Sequence, residues 1–216
     1  MINLAGLFFD MNWIFGYGSL INRKTWFFDA HFEWVQIEGW VRQWCQIIKT
    51  PQGGFCALTI SPNENSKIDG IIISTNLSTF SVIDKREAGY QKTIINESQI
   101  SVYENKDTNS MWNREPVFAY TASKESFRWA SEKSPILQTY IDVIADGFYK
   151  QFGMKGLLNF FCTTQGWELP ILNDRDMPIY PRSIDLEPEF LSLVDQHVSA
   201  NRARCSNLCQ QEKLIL

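Results

Sequence analysis

Basic residues never cluster in this chain. The 20 Lys and Arg and 24 Asp and Glu give a formal charge of -4. With the cations scattered, no stripe exists to neutralise a phosphate backbone, and nucleic acid is not an expected partner. No apolar run reaches the roughly 20 residues of a bilayer-spanning helix, so no membrane insertion is expected. No Pro- or Ser-rich stretch interrupts the 216 residues, a length that closes one core without splitting. A single domain is therefore expected over residues 1–216. Met11 directly precedes a strand-like run, which makes residues 1–10 a candidate N-terminal extension.

Histidine is scarce, with only His31 and His197, and CxxC pairs are absent. The five cysteines (Cys45, Cys56, Cys162, Cys205 and Cys209) are odd in number and widely spaced, a usage that fits reduced thiols better than a disulfide framework. Cys205 and Cys209 stand one helical turn apart, and a zinc site there would need ligands in unusual spacings, so ordinary helix cysteines are expected and no metal. The start lacks the basic n-region and clean apolar h-region of a signal peptide. The sequons at Asn76 and Asn96 matter only in a secreted chain, and the expected location is the cytoplasm.

Aromatic residues are plentiful, and several fall early: Trp13, Phe15, Trp26, Phe27, Phe28, Phe32, Trp34, Trp40 and Trp44. Most are expected to pack a core, with a few free to wall a pocket. Asn12 to Tyr17 reads as a buried first strand. Trp34 to Ile37, Val41 to Ile48 and Phe55 to Ile60 read as hairpin strands punctuated by Gly39, Pro51, Gly53-Gly54 and Pro62, and Ile68 to Ser74 reads as a further strand. A helical pattern over Ser78 to Ala88 stops at Gly89. Strands follow at Gln91 to Ile95, Gln99 to Tyr103 and Pro116 to Thr121. A helix from about Ser134 to Phe152 and a last one from Glu187-Pro188 close the chain, the latter with Phe190, Leu191, Val194, Val198 and Leu208 along a packing face. Asn173 to Arg182, polar and proline-bearing, reads as an ordered surface loop. Strands first and helices late predict an α+β fold around a closed or nearly closed sheet.

Two features carry chemistry. At about 100° per residue, Phe80, Ile83 and Glu87 share one helix face, which brings a carboxylate to an apolar surface. Desolvation there raises the carboxyl pKa toward the range of a useful base. The alternative is a Glu paired with an unidentified Arg or Lys, or one pointing outward at a frayed helix end beside Gly89. The second feature is Gly16-Tyr17-Gly18-Ser19-Leu20, whose small residues let backbone amides approach an anion or a developing oxyanion. A tight structural turn is its plain alternative. It is no dinucleotide fingerprint, because Ile21 occupies the place of the third Gly and no βαβ context follows.

The turn Phe15-Gly16-Tyr17-Gly18-Ser19-Leu20, followed some seventy residues later by Asp84-Lys85-Arg86-Glu87-Ala88-Gly89-Tyr90, resembles the γ-glutamylcyclotransferase superfamily. Gly70 before a strand and Val117-Phe118-Ala119-Tyr120 also fall in familiar places, and the likeness spans roughly residues 13–150. It implies a small mixed or antiparallel β-barrel flanked by helices. It also implies a reaction in which a γ-glutamyl peptide or amine cyclises to 5-oxoproline and releases its amine. Glu87 matches the family's catalytic glutamate and would act as general base, with no covalent enzyme intermediate, metal or organic cofactor. Amides at Tyr17, Gly18, Ser19 and Leu20 would hold the substrate α-carboxylate or the oxyanion, and Tyr90 and Tyr120 are candidates for pocket hydrogen bonds, with plain packing as their alternative.

Gly39-Trp40-Val41-Arg42-Gln43-Trp44 resembles the Gly-x-x-Arg-x-Trp/Phe run of the glutathione-degrading ChaC-like branch, but the substrate stays open among glutathione, γ-glutamyl dipeptides, γ-glutamyl amines and larger γ-glutamylated metabolites. Residues of about 165–216, including Asp174 to Arg182, match nothing in the minimal family pattern. Within them Arg175 or Arg182 could bind a substrate carboxylate, while local Asp–Arg contacts are the plainer expectation. A module that binds γ-glutamyl compounds without turning them over is the competing function. Oligomeric state has no signature in the chain.

Overall fold

A computed structural model describes residues 12–50, 53–103, 112 and 115–213, with side chains of the last helix described through residue 205. The expected extension at 1–10, Pro51, Leu208 and Cys209 lie outside the described residues or side chains.

Among the described residues, nine strands and three α-helices alternate unevenly along the chain. The strands are β1 (Asn12–Gly16), β2 (Phe32–Thr50), β3 (Gly53–Thr75), β4 (Tyr90–Ile95), β5 (Ile100–Val102), β6 (Val117–Ala122), β7 (Ile136–Leu137), β8 (Thr164–Gln165) and β9 (Ile171–Leu172). The helices are α1 (Leu77–Arg86), α2 (Gln138–Cys162) and α3 (Pro188–Lys213). This is the expected α+β fold. One mixed sheet runs β4-β6-β1-β3-β2-β5, and the short β7, β8 and β9 attach beside it. Only β1 with β6 is parallel on the main path.

The expected cluster of short hairpins is replaced by two long strands. β2 and β3 stay paired from Phe32↔Ile73 to Thr50↔Gly53 and absorb Gly39 and Pro62 without breaking. Register shifts between Glu38 and Trp40, and between Gln43 and Gln46, let the pair bend instead of terminate. Gly39 takes a positive φ of 81° at the first of these, so a residue read as a turn marks a bulge.

α1 begins where the Asn76 side chain accepts from Thr79 N at 2.9 Å, so this sequon serves as a helix cap. The helix ends at Arg86, two residues before the expected Ala88, with Glu87 as its C-cap and Gly89 at φ 103° reversing the chain. Tyr90 therefore opens β4 and does not continue the helix. α2 starts four residues after Ser134, because Ile136 and Leu137 pair with β3 and β9. It then runs ten residues past Phe152 through a kink at Gly153 (φ 61°). Leu157, Phe160 and Phe161 of this second half are buried, which explains why the chain resumes helix after the kink.

α2 lies against the sheet with Ile141, Val143, Ile144, Ala145 and Phe148 buried. Trp44 packs edge-on against Tyr140 of α2 and against Trp167, with centroids at 5.8 and 5.4 Å. Of the expected packing face of α3, Val194 and Val198 are buried, while Phe190 packs at the core margin. No helix is long and apolar enough to cross a membrane among the described residues.

Candidate active site

β1 ends at Gly16, and the chain turns through Tyr17 and Gly18 into a short 3-10 turn over Ser19–Ile21. Ile21 N bonds Gly18 O and Asn22 N bonds Ser19 O, each at 3.0 Å. These bonds use carbonyls of the turn, and its leading amides have no intrahelical acceptor by geometry. The turn is held from several sides. Arg42 Nε donates to Tyr17 O at 3.1 Å, Tyr17 Oη donates to Tyr120 O, and Trp26 Nε1 donates to Leu20 O at 2.9 Å. Gly18 is required by close approach: a Cβ built there would lie 2.9 Å from the Tyr140 hydroxyl.

Arg42 is wholly buried and sits over the Phe148 ring at 4.8 Å. Besides Tyr17 O, its guanidinium binds Thr163 Oγ1 at 2.8 Å and Asp69 O. Burial lowers its pKa to about 9, which leaves it protonated at neutral pH. It is therefore a charged clamp beneath the turn, joining β1, β2, β3 and the end of α2.

Glu87 lies at the C-terminal end of α1, where Glu87 N still bonds Ile83 O at 2.9 Å. Ile83 is buried and Phe80 half-buried, so the expected apolar face exists and Glu87 stands on it, its side chain 15 % exposed. Both expected explanations of a buried carboxylate hold at once, because Glu87 is desolvated and also paired. Arg86 Nε lies 2.9 Å from Glu87 Oε1. Burial raises the Glu87 carboxyl above its ordinary value, and Arg86 and then Arg182 pull it back down. The negative end of α1 acts in the same direction as burial.

The Arg86 guanidinium is itself only 7 % exposed. Its Nη2 donates to Ser19 Oγ at 2.9 Å. The Nε contact with Glu87 is an ion pair without hydrogen-bond alignment, and Nη1 has no acceptor. An unmet donor of this kind costs on the order of 1–3 kcal/mol, more when charged.

The turn and the carboxylate meet in one pocket, lined by Phe15, Gly16, Tyr17, Gly18, Ser19, Leu20, Leu58, Glu87, Tyr90, Tyr120 and Tyr140. All seven residues selected from the sequence (Tyr17, Gly18, Ser19, Leu20, Glu87, Tyr90 and Tyr120) are in this lining. The two later tyrosines have structural partners for their hydroxyls: Tyr90 Oη donates to Leu58 O at 3.1 Å and Tyr120 Oη to Asp84 Oδ1 at 2.6 Å. Burial pushes both phenols upward, so they stay neutral. Asp84, which also receives Lys92 Nζ at 2.8 Å, is held below the usual carboxylate range by Lys92 first and Tyr120 second.

Sequence reasoning does not reach Tyr140, Tyr180 or the role of Arg86. Tyr140 sits in α2, where it looks like any core aromatic. Tyr180 lies in the segment read as a surface loop, yet it is 3 % exposed, with its ring 4.7 Å from that of Tyr140. The loop is fixed by contacts that are not local. Arg175 forks onto Asp142 of α2 at 2.7 and 2.8 Å and reaches Asp195 of α3. Asp174 accepts from Thr139 N and Oγ1 at the start of α2. Arg175 is thus a tether and not a pocket residue. Arg182 donates from Nε to Tyr180 Oη at 3.1 Å and is close enough to act on the Glu87 charge. Among the described residues, no group of three or more His, Cys, Asp or Glu is placed to hold a metal ion.

Solved structures share this architecture. A γ-glutamyl cyclotransferase superposes with a TM-score of 0.54 at 12 % identity, over 87 % of this chain and 99 % of that one. An uncharacterized protein from Homo sapiens gives a TM-score of 0.53 at 13 % identity, over 86 % and 99 % of the two chains. A glutathione-specific γ-glutamyl cyclotransferase from yeast gives 0.47 at 13 % identity, over 89 % and 97 %. No curated protein matches the sequence. Residues 12–155 match the family described as ChaC-like protein, a span that contains the turn, Arg42, Arg86, Glu87 and all four tyrosines of the pocket lining but ends before Tyr180. The chain belongs to the ChaC-like family and carries the fold of the γ-glutamylcyclotransferase-like enzymes.

Proposed function

We propose that this protein converts a γ-glutamyl peptide or amine to 5-oxoproline and the free amine, with Glu87 as general base. The observation that carries the reading is the position of Glu87: a desolvated carboxylate, raised in pKa, that lines the same pocket as the Tyr17–Leu20 turn.

In this reading Glu87 takes a proton from the substrate α-ammonium. The freed amine attacks the γ-carbonyl carbon, a C–N bond forms, and the carbonyl oxygen becomes an oxyanion held by turn amides. Collapse breaks the original γ-amide C–N bond. Glu87 relays the proton to the departing nitrogen, then carries across the second proton that the ring nitrogen must lose, and ends as the carboxylate. Because the nucleophile belongs to the substrate, the enzyme gains mainly by fixing a folded, reactive conformer in a small aromatic pocket. Tyr17, Tyr90, Tyr120 and Tyr140 supply rigid walls with neutral phenols, which leaves Glu87 as the base in the lining. The chemistry calls for no metal or organic cofactor. The cytoplasm is the proposed location, on the spacing of the cysteines.

The test is 5-oxoproline release, followed by mass spectrometry, from glutathione, γ-glutamyl dipeptides and γ-glutamyl amines. Release from one of these classes is expected. A folded protein that binds members of the panel and releases nothing would instead support a binding module.

A further inference from the structure

The turn could hold either the substrate α-carboxylate or the oxyanion, and the surroundings of Arg86 separate these duties. Arg86 touches both halves of the site, donating to the Ser19 hydroxyl of the turn and lying against the Glu87 carboxylate. It is more than nine-tenths buried, and its Nη1 has no acceptor while its Nε is unaligned with Glu87. A guanidinium presents donors in a rigid fork that matches a carboxylate. Arg86 is not itself in the pocket lining, but it lies directly behind two residues that are, Ser19 and Glu87, and holds unused hydrogen-bonding capacity there. Charge balance points the same way: Arg86 and Arg182 both act on Glu87, so two cations bear on one lining anion, which favours a further negative charge beside it.

Resting on the reading of Glu87 as base, we propose that Arg86 is the anchor for the α-carboxylate of the γ-glutamyl group, leaving the turn amides to the oxyanion. The α-ammonium and α-carboxylate share one carbon. A substrate that presents the first to Glu87 must present the second to a neighbour of Glu87, and Arg86 is the cation next to it. The Ser19 bond holds the guanidinium against the turn, and because Nε and Nη1 are fully buried the side chain must turn toward the pocket when the ligand arrives.

The test uses two ligands that require no turnover, 5-oxoproline and 2-pyrrolidinone, which differ only by the carboxylate. Binding to the full chain is measured by calorimetry, with Arg86→Gln and Arg86→Lys beside the wild type. Wild type should prefer 5-oxoproline. Arg86→Gln should weaken 5-oxoproline about tenfold to a hundredfold, the range for losing a charged hydrogen bond, and leave 2-pyrrolidinone unchanged. Arg86→Lys should fall between, since it keeps the charge but loses the fork, and it carries the test if the Gln variant does not fold. Equal weakening of both ligands, wild-type binding in both variants, or no preference in the wild type would each overturn the assignment. The two claims fail separately. Arg86-dependent preference without Glu87-dependent turnover would retain the anchor and remove the reaction, and Glu87-dependent turnover without that preference would do the reverse.

Discussion

Arg86 Nη2 donates to Ser19 Oγ at 2.9 Å and so ties the end of α1 to a turn 67 residues earlier in the chain. The bond joins the two segments that carry the family likeness, and it places the guanidinium against the carboxylate of its own neighbour, Glu87. From that relationship follow the charge state of the site and much of what substitution should do.

The pH dependence has a definite sign. A base must be deprotonated, and the Glu87 carboxyl is raised from its ordinary 4.5 by burial, so the acid limb of kcat should lie above the usual carboxylate range. Arg182 favours the anion; Arg182→Gln should therefore shift that limb to higher pH. A shift to lower pH, or none, would show that Arg182 does not act on the base. Stability should follow the same group. The folded state binds the proton more tightly than the unfolded one, so a stabilising contribution present at low pH is lost as pH rises through the raised pKa, and Glu87→Gln should flatten that slope in urea titrations.

Gly18 should not tolerate a side chain. Alanine there brings a methyl against the Tyr140 hydroxyl, an overpacking cost of about 1–3 kcal/mol that distorts the turn. Gly18→Ala should lower kcat/KM and the melting temperature together, and adding Tyr140→Phe should restore part of both by removing the clashing oxygen. Failure of the double variant to improve on Gly18→Ala would place the strain elsewhere.

The loop from Asn173 to Arg182 should behave as part of the site. Arg175→Ala leaves Asp142, whose side chain is 5 % exposed, as a buried carboxylate without its cation, a loss of about 3–5 kcal/mol. Activity should fall as well, because Tyr180 and Arg182 depend on that tether. Chemical denaturation read beside kcat/KM separates the two effects: full activity in a destabilised variant would make the loop a structural strap alone.

Tyr120→Phe tests a smaller contact. It removes the 2.6 Å bond to Asp84, at a cost of about 1 kcal/mol for a partly exposed pair. The expected result is a modest drop in melting temperature with kcat changed less than threefold or so, the range of a residue that packs the wall and touches no reacting atom. A hundredfold loss would make its hydroxyl a participant.

Much of this site is legible in the sequence. Local rules reach Tyr17, Gly18, Ser19, Leu20 and Glu87: a strand runs into a glycine turn, and a carboxylate stands at helical spacing from Phe80 and Ile83. Arg86 escapes those rules, since adjacent residues on a helix point about 100° apart and are not expected to pair. The helix stops at Arg86, and the C-cap torsions of Glu87 (φ -93°, ψ 22°) allow the contact. Tyr140, Tyr180 and the clamping role of Arg42, a residue the family likeness singles out without a role, are hidden for a different reason. Their roles depend on α2 and the late loop folding back onto β1, and a Tyr or Arg spaced that far away in the chain has no local signal. The two long strands read as several short ones for want of one distinction, between a Gly that ends a strand and a Gly that bends it.

Whether Glu87 is the base is read from 5-oxoproline release by Glu87→Gln against wild type on whichever γ-glutamyl substrate the wild type consumes. The variant should lose about a hundredfold to ten-thousandfold, the contribution of a positioned general base, with an unchanged circular dichroism spectrum and cooperative melting. Turnover within a few-fold of wild type in the folded variant would contradict that role.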